Sequence, residues 1–214
     1  MQQVIDVYWS FRSPFSYLVT PDLLDLRRDY DIKIKMRILL PMAISNPERL
    51  FKKKDPKAVR YLVMDAMRRS KYLDRPMEWP RPDPVLQDFT TFEVATEQPY
   101  IFRLVKLGIE AERRGKGLDM ICHVSKLIWG GTENWDQGDH LAKAIAAAGL
   151  DLEDMDAAIE NGDHLEEAED NRQALYKAGH WGIPTMIIKG EPFFGQDRID
   201  TLRWRLDMLG LRKD

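Results

Sequence analysis

Apolar and polar positions alternate over Val4-Ile5-Asp6-Val7-Tyr8-Trp9 and again over residues 32–38, the period of a partly buried strand. Between them Tyr17, Leu18, Leu23 and Leu24 recur at helical spacing. This predicts a helix over 14–29, kinked or restarted at Thr20-Pro21, since proline lacks an N–H and crowds the residue before it. From about 57 to 162 the periodicity is helical throughout, carried by Val59-Leu62-Val63-Ala66-Met67, Phe102-Val105-Lys106-Ile109, the run from Cys122 to Ile128, and Leu141-Ile145-Ala148. Pro80, Pro82 and Pro84 interrupt it as a stiff extended connection. Helix is expected again over 165–178. Gly182-Ile183-Pro184-Thr185-Met186-Ile187-Ile188, Lys189-Gly190 and Glu191-Pro192-Phe193-Phe194 then read as strand, turn and strand, before the periodic run Ile199, Leu202, Leu206, Leu209. The fold class is therefore α/β. Residues 1–40 plus 165–214 form one discontinuous domain, and 41–164 form a large all-helical insertion on the substrate side.

The turn between the first strand and the first helix reads Ser13-Pro14-Phe15-Ser16. Ser followed by Pro is an ordinary helix start, with serine as N-cap. It is also the place where a thioredoxin-like fold carries Cys-x-x-Cys, here with both cysteines replaced by serine. The unpaired N–H groups and the dipole at a helix start favour an anion. Such a turn cannot store a disulfide, yet it can hold the thiolate of a separate thiol, with Ser13 donating to sulfur. Pro184 at the start of a strand fits the same fold, in which a cis proline faces that turn.

Ser13-Pro14-Phe15-Ser16-Tyr17-Leu18, Gly182-Ile183-Pro184-Thr185 and Phe193-Phe194-Gly195-Gln196-Asp197-Arg198 together resemble 2-hydroxychromene-2-carboxylate isomerases, relatives of the kappa-class glutathione transferases in the DsbA-like group. Tyr61-Leu62-Val63-Met64-Asp65, Met77-Glu78-Trp79-Pro80 and Ile128-Trp129-Gly130 extend the similarity over nearly the whole chain. The resemblance implies a thioredoxin-like domain with the helical insertion, and glutathione as cofactor. The cofactor-binding set is Ser13, Ile183, Pro184, Phe194, Gly195, Gln196 and Asp197. Ser13 is the catalytic group, since a hydroxyl without a base is a poor nucleophile but can stabilise a bound thiolate. Ile183 would pair with the cysteinyl peptide. Asp197 offers an acid to the γ-glutamyl ammonium and the Gln196-Asp197 backbone offers donors to its carboxylate, the alternative for Asp197 being a helix N-cap.

The isomerases resembled here carry a lysine and an asparagine after the second strand and a tyrosine on the aromatic-substrate side. This chain reads Pro41-Met42-Ala43-Ile44-Ser45-Asn46-Pro47 and Pro80-Arg81-Pro82-Asp83, so Asn46 takes the asparagine's place while the lysine and tyrosine have no clear counterpart. The expected activity is a glutathione-dependent isomerase acting on a small aromatic or enone-type substrate. A kappa-like glutathione transferase would use the same residues. A glutathione- or peptide-binding module without turnover is the reading from another class.

Composition adds limits. With 32 basic and 35 acidic residues in 214, the chain carries no charge excess that would call for nucleic acid or a membrane surface. Lys52-Lys53-Lys54 reads as a solvated loop, and Asp151 to Glu169 as solvated helix faces with a turn at Asn161-Gly162. The single cysteine, Cys122, excludes an internal disulfide and sits on a helical pattern as a small core residue. His123, His140, His164 and His180 show no metal-ligand spacing, so no metal is expected; His180 stands out for preceding Trp181-Gly182-Ile183-Pro184. No apolar run of membrane-spanning length occurs, and no leader pattern precedes Val4, so a cytoplasmic location is expected. The resemblance further implies a homodimer.

Overall fold

The computed structural model describes residues 2–46, 56–88, 90–91 and 93–213. Lys52-Lys53-Lys54 and Pro47 lie outside them. The chain begins with β1 (Gln3–Trp9), α1 (Pro14–Asp29) and β2 (Ile32–Ile38). The helices α2 (Met42–Ser45), α3 (Pro56–Tyr72), α4 (Ile101–Arg113), α5 (Gly117–Trp129), α6 (His140–Ala147), α7 (Leu152–Ile159) and α8 (His164–Lys177) follow. Strands β3 (Thr185–Ile188) and β4 (Glu191–Phe194), a 3-10 turn (Gln196–Arg198) and α9 (Ile199–Met208) complete it. The sheet order is β2-β1-β3-β4, with β1 parallel to β2 and antiparallel to β3, and β3 antiparallel to β4. This is the thioredoxin-like fold with many helices inserted between β2 and α8.

Ile5, Val7 and Trp9 point the same way from β1 and are fully buried, as their period of two requires. They belong to one hydrophobic cluster that runs without a break from the sheet through α1 into α4 and α5. On α4, a Cβ at Gly108 would lie 3.0 Å from the Phe11 ring and 3.2 Å from Ile38, so this helix approaches the sheet closely only because that side chain is missing. Tyr8, Leu39, Leu175 and Ile187 form a smaller cluster with Ile183 packed against it. Asn171 of α8 donates to the Ile38 carbonyl at 3.2 Å.

Three expectations are corrected. The first helix does not restart at Thr20-Pro21; Pro14–Asp29 is continuous, with Pro21 inside it. Around that proline, Thr20 Oγ1 donates to the Ser16 carbonyl at 2.9 Å, and Arg75 donates to the Leu18 carbonyl and to the Asp22 carboxylate. Two of these bonds fall on the carbonyls either side of Tyr17, whose own ladder donor is the one Pro21 lacks. The extended connection expected at Pro80, Pro82 and Pro84 is present but longer, taking up the described residues between α3 and α4, with Pro76 and Pro99 near its ends and Arg81–Pro82 cis. That stretch is pinned instead by single bonds: Glu78 N–H to the Trp129 carbonyl at 2.8 Å, and Trp135 Nε1 to the Pro82 carbonyl at 2.7 Å. Finally, the third strand begins at Thr185 and leaves Gly182-Ile183-Pro184 outside the ladder. No helix among the described residues is long and apolar enough to cross a membrane.

Candidate functional site

Ser13 is the N-cap of α1, its Oγ accepting from the Ser16 N–H at 3.2 Å. The ordinary capping role is therefore real, and it uses only a lone pair; the hydroxyl proton stays available for a ligand. Pro14 has no N–H and the Phe15 N–H has no partner among the described residues, so the helix presents one free donor beside that proton. Ser16 is fully buried and does not line the cavity that Ser13 faces, which rules it out as a second contact to a ligand there. Trp9 Nε1 holds the Ser16 carbonyl at 2.7 Å, and Trp129 Nε1 holds the Phe11 carbonyl at 2.9 Å, so the turn is fixed from both sides.

Ser13 opens on a largely apolar cavity of about 390 Å³ whose walls include Phe15, Leu62, Val63, Trp79, Trp181 and Phe194. Arg12 also lines it, with its guanidinium paired to Asp83 at 2.8 and 3.2 Å; both side chains are nearly buried, at 11% and 12% exposure. Asp83 accepts further from Trp79 Nε1 at 3.2 Å and from the Val85 N–H at 2.9 Å, so the charge beneath the cavity is neutralised and bonded.

A second cleft of about 400 Å³ shares Phe15, Ile183 and Phe194 with the first. It gathers the other expected cofactor residues, Pro184, Gly195, Gln196 and Asp197. The Ile183–Pro184 bond is cis, and neither the N–H nor the carbonyl of Ile183 has a hydrogen-bond partner among the described residues. The N–H groups of Gln196 and Asp197 are likewise unpaired there. Gly195 has φ +112°, and a Cβ on it would come within 2.5 Å of Asp197 Oδ1, so this turn requires glycine. Asp197 caps no helix; its carboxylate pairs with Arg198 at 3.0 Å, and both side chains are more than half exposed.

Reading the sequence missed the contribution of α3. Asp65 and Arg69, one turn apart, complete the second cleft, and Arg69 donates through Nε and Nη2 to Gln196 Oε1 at 3.0 and 2.9 Å. The i, i+4 spacing on an amphipathic helix was the available signal. Also missed was the aromatic stack on the rim: the His180 ring lies 4.2 Å from that of Phe194 and 5.6 Å from that of Trp181, and His180 Nδ1 accepts from the Gly182 N–H at 2.9 Å. His180 thus orients the Gly182-Ile183 backbone.

Asn46 lies in neither cleft. It lines a third cavity, of about 540 Å³, that meets the Ser13 cavity at Met42, Trp181 and Ile183. Cys122 is half-buried on α5, and burial pushes its thiol above the ordinary range. Among the described residues, no group of His, Cys, Asp and Glu is placed to hold a metal ion.

The model of the DSBA-like thioredoxin domain matches residues 4–207, and the chain belongs to that family. Among solved structures it is similar to a 2-hydroxychromene-2-carboxylate isomerase, at 23% identity over 96% of this chain and 95% of that one, with a TM-score of 0.67. It is similar to a probable DsbA oxidoreductase from Streptomyces coelicolor, at 12% identity over 99% and 92%, with a TM-score of 0.67. The cytosolic disulfide reductase DsbM from Pseudomonas aeruginosa, in a structure with GSH, is similar at 12% identity over 95% and 99%, with a TM-score of 0.59. No curated protein sequence matches the chain. At these identities the likeness is one of fold.

Proposed function

We propose that this protein is a glutathione-dependent isomerase of the 2-hydroxychromene-2-carboxylate type, working as a cytoplasmic homodimer. The observation that carries the reading is the pairing of a cysteine-free turn, with a hydroxyl proton and one free N–H, to an apolar cavity beside the unpaired backbone of Ile183. Bound glutathione would supply a thiolate that adds reversibly to a conjugated enone, permits rotation about the former double bond, and leaves.

The residues present fit such a cofactor. Ile183 offers one donor and one acceptor to an extended peptide, as thioredoxin-like sites do. Asp197 offers a carboxylate to an ammonium, and the free N–H groups of Gln196 and Asp197 would serve a carboxylate. A free thiol has a pKa of about 8.5; lowering it by about two units, roughly 2.7 kcal/mol, makes it mostly thiolate at pH 7. The Ser13 hydroxyl, the Phe15 N–H and the α1 dipole would all favour the thiolate and act toward such a shift. The apolar cavity walls would shield the reacting carbon of a bound substrate from water.

The test follows free thiol during turnover of an aromatic enone. Isomerisation with glutathione conserved is the expected result. Stoichiometric loss of thiol would make the protein a transferase. Glutathione binding without turnover of enones or halo-aromatics would leave a binding module.

A further inference from the structure

We infer that Arg69 is a positioning residue of the second cleft: it turns the side-chain amide of Gln196 so that its nitrogen, and not its oxygen, meets the free carboxylate of a γ-glutamyl peptide. The identity of that peptide rests on the proposed function, whereas the polarity of the cleft rests on these side chains alone.

Arg69 lies on α3 and Gln196 opens the 3-10 turn after β4, and both line the cleft. Nε and Nη2 of Arg69 reach a single atom, Gln196 Oε1, at 3.0 and 2.9 Å. A guanidinium can only donate, so the contact admits the amide in one orientation; the reverse would set N–H against N–H. The guanidinium is itself held, its Cζ lying 4.8 Å from the centroid of the Tyr72 ring. Arg69 therefore fixes which end of the amide the cleft receives.

The consequence falls on Gln196 Nε2. Gln196 is only 4% exposed, and no acceptor among the described residues meets that nitrogen. It is not one of the fully enclosed polar atoms left without a partner, so its N–H groups keep access to the cleft that Gln196 lines. Beside them stand the unpaired backbone N–H groups of Gln196 and Asp197. Donors gathered in a largely buried place are costly until an acceptor meets them.

Charge points the same way. The two carboxylates that line the cleft each have an arginine of their own, Asp65 with Arg68 at 2.9 Å and Asp197 with Arg198 at 3.0 Å. No carboxylate among the described residues lies within ion-pair distance of Arg69, whose bonded partner is the neutral Gln196. The cleft thus keeps a cation behind a set of donors, which suits an anionic oxygen. Without Arg69 the amide could turn over and present its oxygen to that carboxylate instead.

The experiment is calorimetric titration with S-methylglutathione, which has no thiol, and with its analogue carrying 4-aminobutanoyl in place of the γ-glutamyl group, which lacks only the α-carboxylate. The wild type should bind S-methylglutathione at least about tenfold more tightly than the analogue. Arg69→Met should cut that ratio below about threefold, while Arg69→Lys, which still donates to Oε1, should keep it above about fivefold. Gln196→Glu leaves Arg69 a partner but removes the Nε2 donors, and should abolish the preference. A merely structural role for Arg69 would weaken both peptides alike in Arg69→Met; that result, or an unchanged ratio, overturns the inference. Wild-type binding with no carboxylate preference also overturns it and leaves the glutathione reading standing. Binding of neither peptide would overturn both, and an intact ratio in a protein that turns over no enone would remove the isomerase reading alone.

Discussion

Ser13 spends one lone pair on capping α1 and keeps its proton, whereas Asp197 is held only by its exposed neighbour Arg198. These two residues line different clefts, Ser13 the first and Asp197 the second, so their substitutions should separate cleanly. Ser13→Ala should leave glutathione affinity within a few-fold and raise the pKa of the bound thiol, read from thiolate absorbance against pH. Asp197→Ala should weaken glutathione by at least about tenfold, equal to 1.4 kcal/mol, with the thiol pKa unmoved. An exposed pair such as Asp197–Arg198 is worth about 0–1 kcal/mol, so the second variant should remain as stable as the parent. Identical thiol titrations for Ser13→Ala and wild type would remove Ser13 from the chemistry.

At the scale of elements, the contact between α4 and the helices after it depends on a charged seam. Glu110 accepts from Arg114 at 2.7 Å and from the buried His164 Nε2 at 3.0 Å, while Arg114 reaches Asp154 of α7 and Arg113 reaches Asp163 and Glu167 at the start of α8. Burial alone would raise the Glu110 carboxyl, but the bonds from His164 and Arg114 outweigh it and hold it below the usual range. A depressed folded-state pKa stabilises above the unfolded value, about 4.5, and that stability is lost as pH falls through the folded value. Glu110→Gln should therefore cost about 1.5–3 kcal/mol at pH 7, with the gap to wild type closing on acidification below about pH 4.5. Urea titrations at pH 7 and pH 3.5 giving the same gap would show that the seam is not set by this carboxylate.

For the molecule as a whole, the DsbA-like framework is kept while the dithiol is absent. Exchange needs an attacking thiolate and a resolving thiol within reach. Ser13 and Ser16 supply neither, and Cys122 is a half-buried thiol whose pKa burial raises. The purified protein should thus fail to reduce insulin, and Cys122→Ala should retain full glutathione-dependent activity. Loss of that activity in a variant with native circular dichroism would return the sulfur chemistry to the protein itself.

The strands β1 and β2, the helix begun at Ser13-Pro14 and the β3–β4 hairpin were legible in the sequence because each is a local pattern: period two, a cap followed by proline, and a Lys-Gly turn. The residues Ile183 to Asp197 were legible as a group for the same reason, being nearly contiguous. Tertiary structure decided where these pieces meet. The helix runs on through Pro21, where Arg75, far along the chain, donates to the Leu18 carbonyl and the Asp22 carboxylate on either side of it. The prolines between Leu73 and Tyr100 keep that stretch out of a helix, and its bonds to Trp129, Trp135 and Arg12 decide where it lies. Likewise Asp65 and Arg69 reach the second cleft, and Lys177 and Tyr176 come to line the same cavity as Asn46, only through the packing of α3 and α8 around the sheet. A single sequence records which face of a helix is apolar; which distant side chains its polar face will meet depends on how the helices stack.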